Sequence, residues 1–165
     1  MFSFAANGID WRLILLVSSI GLLLVGLIVV TCLITYKTYQ KILIQKRAQI
    51  EYYEHELNEL FGKRVSILSA FNKDAKNLET PNLYTNMAEK AAFKKETDKY
   101  IKSKLTNDVL MNNNAEIAQI VNEYNRHAQK FNQLIKKFPA KIVANRYGFT
   151  PYELYDESVE EIDAK

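Results

Sequence analysis

The chain has 165 residues, of which 25% are charged, and a formal net charge of +3. Five glycines and three prolines exclude a collagen-like or low-complexity chain, and so small a net charge, spread along the sequence, argues against a nucleic-acid partner. The single cysteine, Cys32, excludes an intrachain disulfide and a zinc site built on cysteine.

Residues 1–12 form a short N-terminal segment. From Leu13 to Ile34 there are 22 consecutive residues without a charge. At about 1.5 Å per residue a helix of that length spans about 33 Å, slightly more than the hydrocarbon core of a bilayer. Residues 13–35 are therefore expected to be a transmembrane helix, and the lipid bilayer is the first expected partner. Trp11 and Arg12 flank one end, and Tyr36, Lys37 and Lys41 flank the other, where aromatic and basic side chains suit the interface. Lys37, Lys41, Lys46 and Arg47 follow the span, whereas Arg12 is opposed by Asp10 on the other side. The positive-inside rule puts the N-terminus outside and the C-terminal domain in the cytoplasm of a single-pass cell-membrane protein. Cys32 reads as a small apolar residue facing lipid; Val29-Val30-Thr31 before it is a poor signal for lipid attachment.

Residues 36–149 read as a bundle. Thr35 to Leu78 lacks proline and is expected to continue the anchor as one helix. Its apolar stripe is Ile50, Tyr53, Leu57, Leu60, Ile67, Phe71 and Leu78, interrupted by Arg64. Thr80-Pro81 predicts a helix start, with Thr80 as N-cap and the helix running from Asn82 to about Leu105. Breaks are expected at Thr106-Asn107-Asp108 and at Asn112-Asn113-Asn114, where Asn113 and Glu116 have capping-box spacing. The next helix carries Ile117, Ile120, Tyr124, Phe131, Leu134 and Phe138 on one face, widened by Val121, Ala128 and Ile135. Pro139 ends it, and Ala140 to Tyr147 is one or two further turns.

Gly148 and Pro151 punctuate an aromatic arm, and residues 150–165 form an acidic tail. Tyr147, Phe149, Tyr152 and Tyr155 either cover a groove of the bundle or receive a protein partner. No strand-like alternation is present. The fold class is thus all-α, with an N-terminal transmembrane helix continuing into a three- or four-helix bundle. Its expected core includes Leu57, Leu60, Ile67, Phe71, Ile117, Ile120, Tyr124, Phe131 and Phe138.

No catalytic, cofactor or metal site emerges. His55-Glu56 opens a zinc-protease-like pattern, but the second histidine position is Glu59, so a self-paired helix face is expected. His127 lies among Asn125, Arg126 and Gln129 on the polar side of its helix and is expected to be exposed. Phosphate-binding glycine loops and nucleophile elbows are absent from the sequence.

Glu123-Tyr124-Asn125-Arg126-His127-Ala128, Phe138-Pro139, Ile142-Val143-Ala144 and Gly148-Phe149 resemble the LemA family. Leu57-Asn58 followed by Lys63-Arg64-Val65-Ser66-Ile67-Leu68-Ser69 is similar to a second family segment, with Ser66 and Ser69 where Asp and Pro are usual. The resemblance implies a small helical bundle on an N-terminal membrane anchor and little about activity; the expected function is a non-enzymatic scaffold or interaction protein at the bacterial cell membrane. Its protein partner is unidentified, or is a second copy. A cell-envelope or division coiled-coil protein and a metal-dependent hydrolase using His55 are the alternatives.

Overall fold

A computed structural model describes residues 11–72, 75, 77–82, 84–100 and 104–156. All regular structure among them is helical: α1 (Trp11–Phe71), α2 (Met87–Asp98), α3 (Lys104–Leu134) and α4 (Ala140–Tyr147). The N-terminal part of α1 is long and apolar enough to cross a membrane, and its most apolar stretch is not buried by any of the other described residues. Residues 1–10 and 157–165 lie outside the described residues. The expectations for the N-terminal segment and the distal acidic tail therefore fall there.

α1 is one uninterrupted helix of 61 residues, about 90 Å long. Its buried positions are Leu43, Ile50, Leu57 and Arg64, seven apart, with Phe61 and Leu68 one turn after the last two. α3 answers with Leu110, Ile117, Tyr124 and Phe131, also seven apart, joined by Asn113 and Ala128 and, just past its end, Ile135. Two helices with such seams pack side by side over many turns. They run antiparallel: Lys63 meets Glu116 at 2.9 Å, and ten residues earlier the Tyr53 ring lies 5.2 Å from that of His127. α2 completes the main core with Met87, Ala91 and Phe93, the last edge-on to Phe61 at 5.6 Å. A smaller apolar cluster, Leu68, Ala75 and Leu110, closes the far end.

Several boundaries differ from expectation, and α2 ends at Asp98, not near Leu105. α2 starts at Met87 and not at Asn82. The Asn82 side chain accepts from the Tyr84 amide at 2.9 Å, and Thr85 Oγ1 accepts from the Asn82 amide at 3.0 Å. That local turn competes with helix, and Asn86, accepting from Glu89 N at 2.7 Å, is the actual cap. The expected breaks at 106–108 and 112–114 do not occur; α3 runs through both. Asn113 is no cap, because it is buried and engaged with α1. α1 ends at Phe71, short of Leu78.

Of the expected core, Leu57, Ile117, Tyr124 and Phe131 are fully buried, and Leu60, Ile67 and Ile120 are partly buried. Phe71 is largely exposed, lying at the last turn of α1, and Phe138 is 81% exposed. α3 stops at Leu134, so the helical phase that would turn Phe138 inward no longer applies. Replacing Phe131 by Ala should lower stability by about 3–5 kcal/mol, the cost of emptying a buried aromatic site. Phe138→Ala should leave the cooperative melt of the detergent-solubilised chain unchanged; an equal loss in both variants would contradict this core.

Candidate interaction surface

Beyond α4 the chain turns at Gly148, whose φ of 67° is the left-handed conformation that glycine adopts without strain. Gly148 N donates to Asn145 O and Phe149 N to Ala144 O, closing the helix end. The aromatic arm is thereby aimed back along α3. Two asparagines of α3, seven residues apart, hold its backbone. Asn132 donates to Tyr152 O and accepts from Tyr152 N, both at 2.8 Å. Asn125 donates to Tyr155 O at 2.8 Å and accepts from Tyr155 N at 2.9 Å. Each amide thus pairs with a full peptide edge, as a neighbouring strand would. Tyr124 adds a third bond, its hydroxyl donating to Glu153 O at 2.8 Å. Burial, with Glu54 nearby, pushes the Tyr124 phenol far above its ordinary pKa, so it remains a neutral donor.

Side chains follow the backbone. Phe131 packs edge-on to Phe149 at 6.0 Å and to Tyr152 at 5.4 Å, and Tyr155 is buried. The arm therefore covers a groove of the bundle through residue 156, and the part of the tail from 150 to 156 belongs to the packed domain. Of the four aromatic residues expected to receive a partner, Tyr155 is withdrawn into the core, Phe149 and Tyr152 are partly buried, and only Tyr147 is exposed. An open cleft of about 780 Å³ remains between the arm and α1, lined by Arg47, Glu51, Glu54 and His55 on one wall and Phe149 and Tyr152 on the other.

His55 pairs with Glu59 one turn on at 3.2 Å, both well exposed. Among the described residues no three potential metal ligands of the His, Cys, Asp or Glu type converge. His127 is less exposed than its sequence context suggests. It lies against Tyr53 and near Glu123, and burial together with Arg126 lowers its pKa.

Arg64, read as an interruption of the stripe, is the feature that the sequence reading missed. It is fully buried, donating to Thr97 Oγ1 at 2.7 Å, to Asn113 Oδ1 at 3.4 Å, to Asn114 Oδ1 at 2.5 Å and to the Asp98 carboxylate. Asn113 also donates to Leu60 O at 3.2 Å. A second buried cation, Lys90, reaches Glu54 at 2.7 Å. Arg64 stands seven residues after Leu57 in the seam, which together with the Asn112-Asn113-Asn114 run was the available signal. The two ends of the expected membrane flank differ. Arg12 is exposed at the start of α1, Trp11 begins that helix with its side chain outside the described residues, and Lys37 and Lys41 are exposed. Tyr36 is partly buried, its ring 6.5 Å from that of Tyr147.

The LemA family model matches residues 103–164. Over this segment the chain is LemA-like. The LemA-like segment contains the Tyr124-Asn125 pair, Asn132, Phe138-Pro139 and Gly148-Phe149, which are the residues that build and aim the clamped arm. Neither the curated proteins nor the solved structures contain a match. Because each clamp amide satisfies both polar groups of one arm residue, Asn132→Leu should cost about 1–3 kcal/mol. Hydrogen exchange should accelerate at residues 152–155 while the α1 and α3 amides near Ile50 and Ile117 stay protected. Unchanged protection of the arm would contradict the clamp.

Proposed function

We propose that the chain is a single-pass membrane-anchored LemA-like protein acting as a non-enzymatic scaffold or interaction protein at a bacterial cell membrane. The observation that carries this reading is the continuity of α1. An apolar, uncovered stretch of bilayer length passes without a break into the helix around which the bundle is built. A protein so made holds a rigid surface at a set height from the membrane. The LemA match to the part of the chain that packs on this helix supports the same reading.

The domain faces the cytoplasm on this proposal, because Lys37, Lys41, Lys46 and Arg47 follow the span while Arg12 stands beside Asp10 before it. Its partner is a protein or a second copy, and the open cleft beside Tyr152 is the surface best shaped to receive it. The cleft combines a charged wall with aromatic groups, the composition of an interface anchor. His55 offers no support for a hydrolase, being engaged with Glu59 on an exposed helix face.

Protease added to intact cells should leave an epitope at the C-terminus intact, and permeabilisation should expose it. Crosslinking through Tyr84, which is 95% exposed at the rim of the cleft, should then trap a defined partner band. Loss of the epitope without permeabilisation would contradict the orientation.

A further inference from the structure

α4 and the turn before it sit at the level where α1 leaves its apolar stretch. Thr31, Cys32 and Tyr36 of α1 face Phe138, Pro139 and Ile142 across a cleft of about 360 Å³. The apolar run ends at Ile34, so these three residues lie within about one turn of where the span meets the headgroups. Yet Phe138 and Ile142 are 81% and 56% exposed, while their neighbours Ala140, Val143 and Ala144 are buried. Two large apolar groups thus project outward from the end of the bundle nearest the span.

The charge pattern around them is one-sided. Residues 35–50 of α1 and residues 124–152 lie in this half of the antiparallel bundle. Together they carry ten Lys and Arg residues and no Asp or Glu, although Arg47 pairs with Glu51 and Arg126 with Glu123 just outside those ranges. Lys136, Lys137, Lys141 and Arg146 immediately flank Phe138 and Ile142 and are exposed. The far half mixes both signs, with Lys63–Glu116 and Lys94–Asp98 pairs. An apolar tip flanked by the exposed Lys136, Lys137, Lys141 and Arg146 matches an anionic bilayer surface, where apolar groups enter the acyl boundary and basic groups meet headgroup phosphates.

We propose that Phe138 and Ile142 insert into the headgroup–acyl boundary of the same bilayer that α1 spans, with Lys136, Lys137, Lys141 and Arg146 on its anionic headgroups. The bundle then stands on the membrane at two points and does not swing freely on its stalk. This rests on α1 being a span, and the test separates the two.

The chain has one tryptophan, so Trp11→Phe gives a silent background for the full-length protein in phosphatidylcholine vesicles containing phosphatidylglycerol. Three reporters are added singly: Phe138→Trp, Leu23→Trp in mid-span, and the distal Tyr84→Trp. Phe138→Trp should emit at shorter wavelength than Tyr84→Trp and be quenched by lipids brominated near the glycerol end of the acyl chain. Leu23→Trp should be quenched by lipids brominated near the methyl end. Combining Phe138→Trp with Lys136→Glu, Lys137→Glu and Lys141→Glu should abolish the shallow quenching. If Phe138→Trp resembles Tyr84→Trp while Leu23→Trp is quenched, α1 spans and the insertion is refuted. A blue-shifted but unquenched Phe138→Trp would mean that protein covers the tip, which also refutes it. An unquenched Leu23→Trp would remove the span itself and the proposal with it.

Discussion

On the proposed function one helix, α1, has to satisfy two solvents. Its first part must offer an all-round apolar surface, and its second part must bury one seam against α3 while presenting polar groups elsewhere. Helix is the only open-ended structure that keeps every backbone group bonded in lipid, and it continues into the bundle without a joint. Nothing in α1 interrupts that continuity: proline is absent, and a side chain built on Gly62 would meet only Thr80 at 4.0 Å. The height and orientation of everything packed on α1 are consequently inherited from wherever its apolar stretch comes to rest.

What aligns α3 on this shaft is not apolar area alone, since a seam repeating every seven residues tolerates a shift by one repeat. The Arg64 layer breaks that degeneracy. It separates the main core from the small Leu68–Leu110 cluster. Only one axial alignment brings its guanidinium to Asn113 and Asn114 while Asn113 reaches Leu60 O. A buried guanidinium is expensive to desolvate unless its donors are occupied, so shifted alignments are penalised. Asp98 is substantially exposed and its attraction is screened, which leaves the hydrogen bonds as the main source of this selectivity. At the other end, Asn125 and Asn132 perform a comparable task for the arm, and their spacing matches the seam because both sit on one flank of α3.

Much of this was legible in the sequence. The apolar N-terminal stretch, its passage into a long helix, the α3 stripe from Ile117 to Phe131 and the short α4 all follow from hydropathy, period and the Pro139 and Gly148 signals. The misreadings of Arg64, Asn113 and Asn114 share a cause. Arg64, Asn113 and Asn114 look like interruptions or caps when each is read against its neighbours, because local rules assign polar residues to solvent or helix ends. Their partners lie 33 to 50 residues away, beyond any local window. Phe138 was misread for the converse reason: its stripe phase was extrapolated past the last turn of α3. That it is apolar, exposed and at the level of the span's end is a statement about three-dimensional placement, which periodicity does not contain. The arm's fate was open in sequence, since clustered tyrosines suit a cover and an interface; the paired amide bonds from Asn125 and Asn132 hold its backbone on α3, while Phe149 and Tyr152 still border the open cleft.

The central claim is that the bundle is fixed upright on α1, with the 134–147 end at the bilayer and the Arg64 end away from it. Spin labels at Lys136→Cys, just past the end of α3, and at Glu116→Cys within it, each in a Cys32→Ser full-length background, lie roughly 30 Å apart. Their relaxation by a paramagnetic ion chelated to the lipid headgroups of reconstituted vesicles reports their distances from the membrane surface. The account predicts strong relaxation at position 136 and little at 116. Equal relaxation at both, or the reverse order, would show that the bundle lies flat or hangs loose and would contradict it.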